Sequence, residues 1–436
     1  MQHYSHDATV DRVMTERSMF GLNTKSSSKM ANAFPLPRIL TASDRQSGAP
    51  DLLASQQILG RDNFEQLRPP HQRTDEHNTP KSAQQPSLVF VCNNFTFEFL
   101  HQFTKNMHTK RSVVISPFSI IQLFVIMYVT SKSRSETDMQ NYFSFSGKAS
   151  TFQSLIELNV ALHKTGVFKS TNILCICDAH TVNNKFADLL EHVGSIISFN
   201  YKSADATVRI VNNIAAKTTN GMIDNVISAN MLQPPTDFAL INVIYFYSKW
   251  KSPFSPQMTS SNVPFRGKTT KVTMMTQYEG RFNHFVDNDQ AILEMDYVDG
   301  YFSMGFVLSS GIDRPHLERL VSQLSQKQIS VLKIPKFKQE FKYKIDNIFR
   351  ENGLNSLFQN LDTDLVNTQT AISYIIHGAA IIVDEAGTKA AAHTSMVSEN
   401  CASVTKEEIK FIADRPFTYY IRYKPQNLIV FIGQFF

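Results

Sequence analysis

The chain has 436 residues, 42% of them apolar, enough to bury a real core. Lys and Arg number 43 against 38 Asp and Glu, an excess too diffuse to make nucleic acid the expected partner. Four cysteines are too few for a disulfide scaffold of this size, and neither they nor the 13 histidines show metal-ligand spacing, so no metal or other cofactor is expected.

Residues 1–86 are rich in Ser, Gln, Asn, Asp, Arg and Pro and read as a mostly disordered extension, with 51–67 able to form a transient amphipathic helix. No apolar leader core occurs in the first thirty residues, which makes a cytoplasmic location the expectation and secretion the alternative. From residue 87 onward the apolar patterning is continuous, giving one domain over 87–436. Phe95, Phe99 and Phe103 fall at helical spacing. The apolar stretch 113–130 has nearly the length of a membrane span, but its early Ser-Pro favours a buried core helix beginning at Pro117, and no membrane association is expected. "NILCICDAHTV" alternates like a strand, 208–223 is helical, and 237–246 is a buried-type strand. Strands prevail afterwards, so the fold class is α+β. The lysines 333, 336, 338, 342 and 344, set among apolar residues, read as the solvated face of a strand rather than a polyanion site.

Catalytic signatures are missing. The chain has no Gly-x-Ser-x-Gly, no H-E-x-x-H and no G-x-G-x-x-G, and "RGKTT" lacks the first glycine of a P-loop. An enzyme is not expected. His377, after an apolar run, reads first as a hydrogen-bonded core histidine.

The run "DEAGTKAAAHTSMV" (384–397) is neither loop nor amphipathic helix. At period two, Thr388, Ala390, Ala392, Thr394 and Met396 make a small, uncharged face, while Lys389, Ala391, His393 and Ser395 make a second face directed to solvent. With "ISPFSI" (115–120), "TTNGMI" (218–223), "INVIYFYSKWKSPF" (241–254), "KVTMM" (271–275), "LKIPKF" (332–337) and "FIADRPFTYYIR" (411–422), this run resembles the serpins from about Phe90 to the C-terminus.

The resemblance implies a serpin fold of three β-sheets and about nine helices with an exposed reactive-centre loop. It implies a monomer that acts as a suicide substrate of a serine protease, held in a covalent complex once the cleaved loop enters the central sheet. It assigns Glu385, Gly387, Thr388, Ala390, Ala391, Ala392 and Thr394 to the loop hinge, and Ser116, Ser119, Asn242 and His377 to a polar shutter beneath the sheet. Trp250 and Lys336 fall at the top of the sheet, the breach, with Lys336 paired to Glu385. Counting sixteen residues from Glu385 puts the reactive bond at Cys401-Ala402, suited to an elastase-like or chymotrypsin-like protease; counting back from Pro416 points to Val404 or Thr405. Thr130 and Ser133 stand where the family commonly has glycine, and Ile214 where it has tryptophan. The alternative is a non-inhibitory serpin acting as a binding, carrier or chaperone protein, which the small inward hinge residues disfavour.

Overall fold

The computed structural model describes residues 39–40, 86–105, 111–190, 193–267, 271–288, 290–309, 311–388 and 408–436. The expected extension, apart from Ile39, Leu40 and Pro86, and residues 389–407 of the loop thus lie outside the described residues.

Helices come first. They are α1 (Leu88–Lys105), α2 (Pro117–Thr130), α3 (Ser133–Phe143), α4 (Lys148–Lys164), α5 (Asn184–Leu190) and α6 (Ala204–Thr218), with α7 (Arg314–Ser322) and α8 (Asp346–Phe349) later. The strands are β1 (Ile39–Leu40), β2 (Val113–Ile115), β3 (Phe168–Cys177), β4 (Ser195–Phe199), β5 (Phe238–Phe246), β6 (Ser248–Lys249), β7 (Ser260–Val263) and β8 (Val272–Asp287). They continue with β9 (Gln290–Asp296), β10 (Phe302–Leu308), β11 (Ser325–Lys344), β12 (Ile372–Val383), β13 (Gly387–Thr388), β14 (Lys410–Ile412), β15 (Phe417–Tyr423) and β16 (Leu428–Phe435).

Hydrogen bonding runs in the order β1-β4-β3-β5-β12-β11-β8-β9-β10-β15-β16-β2, with β14 beside β11, β7 beside β8, and β13 paired separately with β6. Continuity comes from β11: its residues 337–344 pair with β12, whereas 325–336 pair with β8 in the next sheet. Along its upper half Ile334, Phe337 and Phe341 are buried while Lys336, Lys338 and Lys342 are exposed, so the lysine run is a solvated strand face.

Two cores sandwich the strand that matters most. All nine residues of β5 are buried. Leu240, Ile244 and Phe246 join the main core against α2, whose fourteen residues are all buried; Ala239, Ile241, Val243 and Tyr245 join a second core with Val211 and Ala215 of α6. Burial on both faces explains why β5, apart from Asn242, reads as an apolar run instead of an alternating one. The second hinge face, Lys389, Ala391, His393 and Ser395, lies outside the described residues. The sheet surface beside β5 and β12 is covered by α6 and by Ile223, which would contact a Cβ placed on Gly378 at 3.3 Å.

Candidate functional site

The β5–β12 pair is parallel, with Asn242 directly opposite His377. Parallel neighbours need a crossover, and a strand running antiparallel to both could enter between them. Beneath this seam lies a buried polar cluster. Ser116, the N-cap of α2, donates its backbone N–H to His377 Nε2 at 3.0 Å, which makes Nε2 the acceptor and leaves the ring proton on Nδ1. Nδ1 then donates to Asn242 Oδ1 at 2.8 Å, where Ser119 Oγ also donates at 2.6 Å. Ser116 Oγ donates to the Val430 carbonyl at 2.5 Å. Complete burial pushes the His377 pKa down to about 3, so the ring is neutral near pH 7.

All four residues assigned to the shutter therefore meet. Sequence reading missed the rest of the network. Asn242 Nδ2 donates to Asn172 Oδ1 at 2.8 Å, Asn172 Nδ2 donates to the Val193 carbonyl at 2.9 Å, and Gln122 Nε2 donates to Asn159 Oδ1. Asn172 pairs with Asn242 across β3 and β5, so three adjacent strands place Asn172, Asn242 and His377 at one level. The available signal was a lone asparagine at the head of an apolar strand run.

The second constellation is at the end of β12. Asp384 turns the chain: its Oδ1 accepts from Ala386 and Gly387 N–H at 3.0 and 3.2 Å, and its N–H donates to the Gly387 carbonyl at 2.9 Å. Gly387 has φ +149, and a Cβ there would lie 2.4 Å from the Ser248 carbonyl oxygen and 2.6 Å from Lys249 Cα. Only glycine fits this close approach. The turn is held by Trp250, whose N–H donates to the Ala386 carbonyl at 3.0 Å and whose Nε1–H donates to the Asp384 carbonyl at 2.9 Å. Phe254 N–H donates to the Glu385 carbonyl at 2.8 Å. The indole is stacked on Tyr297 at 4.6 Å and 11°.

Lys336 Nζ lies 2.7 Å from Glu385 Oε2, and Thr259 Oγ1 donates to Glu385 Oε1 at 2.9 Å. Burial alone would raise the Glu385 carboxyl, but hydrogen bonds from Lys336, the backbone and Thr259 outweigh it and hold the group below its ordinary value. Glu385, Gly387, Trp250 and Lys336 are thus brought together, joined by the unforeseen Asp384 and Thr259. The backbone of Thr388 pairs with Ser248. Ala390, Ala391, Ala392, Thr394, Cys401 and Ala402 lie outside the described residues.

The family model Serpin (serine protease inhibitor) matches residues 91–436. The chain is a serpin. It is 26% identical over 359 residues to the human leukocyte elastase inhibitor, covering 74% of this serpin and 92% of that protein. An uncharacterized serpin-like protein of Acanthamoeba polyphaga mimivirus is also 26% identical, covering 79% and 88%. Among solved structures, human thyroxine-binding globulin superposes with a TM-score of 0.71 at 22% identity, covering 79% of this serpin and 97% of that chain. Serpin48 of the insect Tenebrio molitor gives 0.69 at 22%, covering 82% and 99%. The fold is that of the family, and eight α-helices occur among the described residues. None of these helices is long and apolar enough to cross a membrane.

Three departures from the family pattern acquire a geometry. Ser133 has φ +50, a left-handed backbone that costs a side-chain-bearing residue about 1 kcal/mol or more. Thr130 is fully buried, and its hydroxyl donates back to the Met127 carbonyl at 3.0 Å. Ile214 packs, half-buried, against the second core.

Proposed function

We propose that this serpin traps a serine protease by inserting its cleaved loop between β5 and β12. The observation that carries the reading is a coincidence of register. Gly387 and Thr388 already oppose Lys249 and Ser248 antiparallel, and Gly387 bridges Asp384. Continued along β5, that register opposes Thr394 to Asn242; continued along β12, it opposes Thr394 to His377. Asn242 and His377 are themselves partners. A strand growing from β13 thus fits both neighbours without a bulge, and the small face of 388–396 meets the shutter.

Around ten new ladder hydrogen bonds at about 0.5–1.5 kcal/mol net each supply on the order of 10 kcal/mol. That rivals a domain's whole stability, so the uninserted state would be kept by slow opening rather than by equilibrium. In the proposed reaction the protease serine attacks the Cys401 carbonyl, Ala402 leaves as the amine, and insertion deforms the acyl-enzyme before water releases it. Kinship with leukocyte elastase inhibitors of human, rat and frog supports an elastase-like or chymotrypsin-like target. The likeness to thyroxine-binding globulin, at 22% identity, carries the fold alone.

The test is incubation with elastase, chymotrypsin and trypsin. Expected are an SDS-resistant complex with one of the first two and a released peptide beginning at Ala402. Cleaved loop with fully active protease in all three would reject trapping of these enzymes.

A further inference from the structure

A cavity of about 220 Å³ is lined by residues of β8 and β9, by Gln326 of β11, and by Lys251 and Ser252, which follow Trp250. Its floor is built by register. Gln326 of β11 opposes Asn283 of β8, which opposes Glu294 of β9, so the three side chains stand in one row on one face. The row continues to Gly305 and Tyr420. Because Gly305 has no side chain, the Tyr420 ring leans into its place, where a Cβ would lie 2.1 Å away, and the hydroxyl donates to Glu294 Oε1 at 2.6 Å.

The charges of the cavity do not cancel. Glu294, 2% exposed, is fully engaged: Arg422 Nε donates to Oε1 at 3.0 Å and Nη2 to Oε2 at 2.6 Å, beside the Tyr420 hydroxyl. Asp296 is paired with Lys424 at 2.8 Å. Neither Arg422 nor Lys424 lines the cavity, so both carboxylates are neutralised from behind. Lys251 and Arg281 line it, and neither has a carboxylate within ion-pair distance among the described residues. Two cations therefore face a recess whose acids are already satisfied, and Ser252, Asn283 and Gln326 add hydrogen-bond donors around them.

We infer that this cavity binds a small tetrahedral oxyanion, a phosphate or sulfate group, held between Lys251 and Arg281 with the Asn283 and Gln326 amides donating. Such a group suits the donor set, which offers N–H and O–H but no unpaired carboxylate to repel it. The volume admits one such group with a small substituent and excludes burial of a polymer. The position gives the site a reach beyond itself. Lys251 directly follows Trp250, and its N–H donates to the Asp296 carbonyl at 2.9 Å, so a bound anion ties the segment holding the hinge turn to the β8–β9 ladder.

The test titrates the full chain by calorimetry with inorganic phosphate and, separately, with glucose 6-phosphate in low-chloride buffer. Saturable phosphate binding that weakens as NaCl rises is expected, and Lys251→Ala with Arg281→Ala should reduce it by tenfold or more. Equal binding of the ester supports a site for a phosphate group on a small molecule; binding of inorganic phosphate alone supports a free-ion site. Lys338→Ala, a solvated lysine on β11, should change nothing. Should the double variant fail to fold, Arg281→Gln alone supplies the comparison. Absence of saturable binding by either probe, or undiminished affinity in the variants, overturns the assignment.

Discussion

Acid should loosen the seam through His377, and the magnitude follows from its burial. In the folded chain the pKa is about 3; in the unfolded chain it is the ordinary 6.5. Between these values the unfolded state binds a proton that the native state does not, so stability is full above pH 6.5 and is lost as pH falls toward 3. At pH 5 the loss from this group is about 2 kcal/mol, and over the whole window it approaches about 5 kcal/mol. The structural reason is local. A protonated ring would turn Nε2 into a donor facing the Ser116 N–H, itself a donor, and the Ser116–His377–Asn242 bridge across β5 and β12 would break. His284, pushed down to about 4 by burial and then by Lys327, adds a loss of the same sign elsewhere. The assay is therefore a difference: urea unfolding of wild type and His377→Gln at pH 7 and pH 5. Wild type should lose about 2 kcal/mol more than the variant between the two. Equal losses would refute the argument that this histidine is neutral and bridging.

Gly387→Ala should free the hinge turn instead of unfolding the domain. The Cβ meets backbone atoms, and the three hydrogen bonds from Trp250 and Phe254 cap the cost at about 3 kcal/mol; faster hydrogen exchange at the Trp250 and Phe254 amides checks it. A double-mutant cycle on Lys336 and Glu385 should give a coupling of about 1 kcal/mol or less that salt diminishes, because the lysine is 45% exposed. Ser133→Gly should raise stability by about 0.5–1 kcal/mol, read from the urea midpoint, since it relieves a left-handed serine at φ +50. If insertion is the mechanism, Ala390→Arg or Thr394→Arg should leave the loop cleavable but abolish the SDS-resistant complex, and His393→Ala should preserve it; trapping by the arginine variants would contradict the register.

Much of the fold was legible because burial writes itself into composition. The predominantly apolar runs of α2 and β5 mark elements covered on every side, and the alternation of Lys336, Phe337 and Lys338 marks a face exposed on one. What stayed hidden depends on which strand lies beside which. Asn172 is an isolated polar residue until β3 is placed against β5 with Asn242 opposite it. Glu294, Tyr420 and Arg422 form a buried charged group only because Gly305, between them in the sheet, leaves its place empty. The hinge illustrates the same limit. Period two separates a small face from a larger one, but it says nothing about what covers either, and residues 389–407 lie outside the described residues.

On the proposed mechanism the uninserted sheet resists opening at more than one place. Entry of a strand growing from β13 between β5 and β12 breaks their ladder step by step, parts the Asn242–His377 bond and slides the new outer face along the side packed by α6 and Ile223. The first two costs fall at the shutter and the third on the opposite face, so no single contact holds the sheet closed. A barrier assembled from three separate costs can be high even though each is small, which is what a slow-opening native state requires.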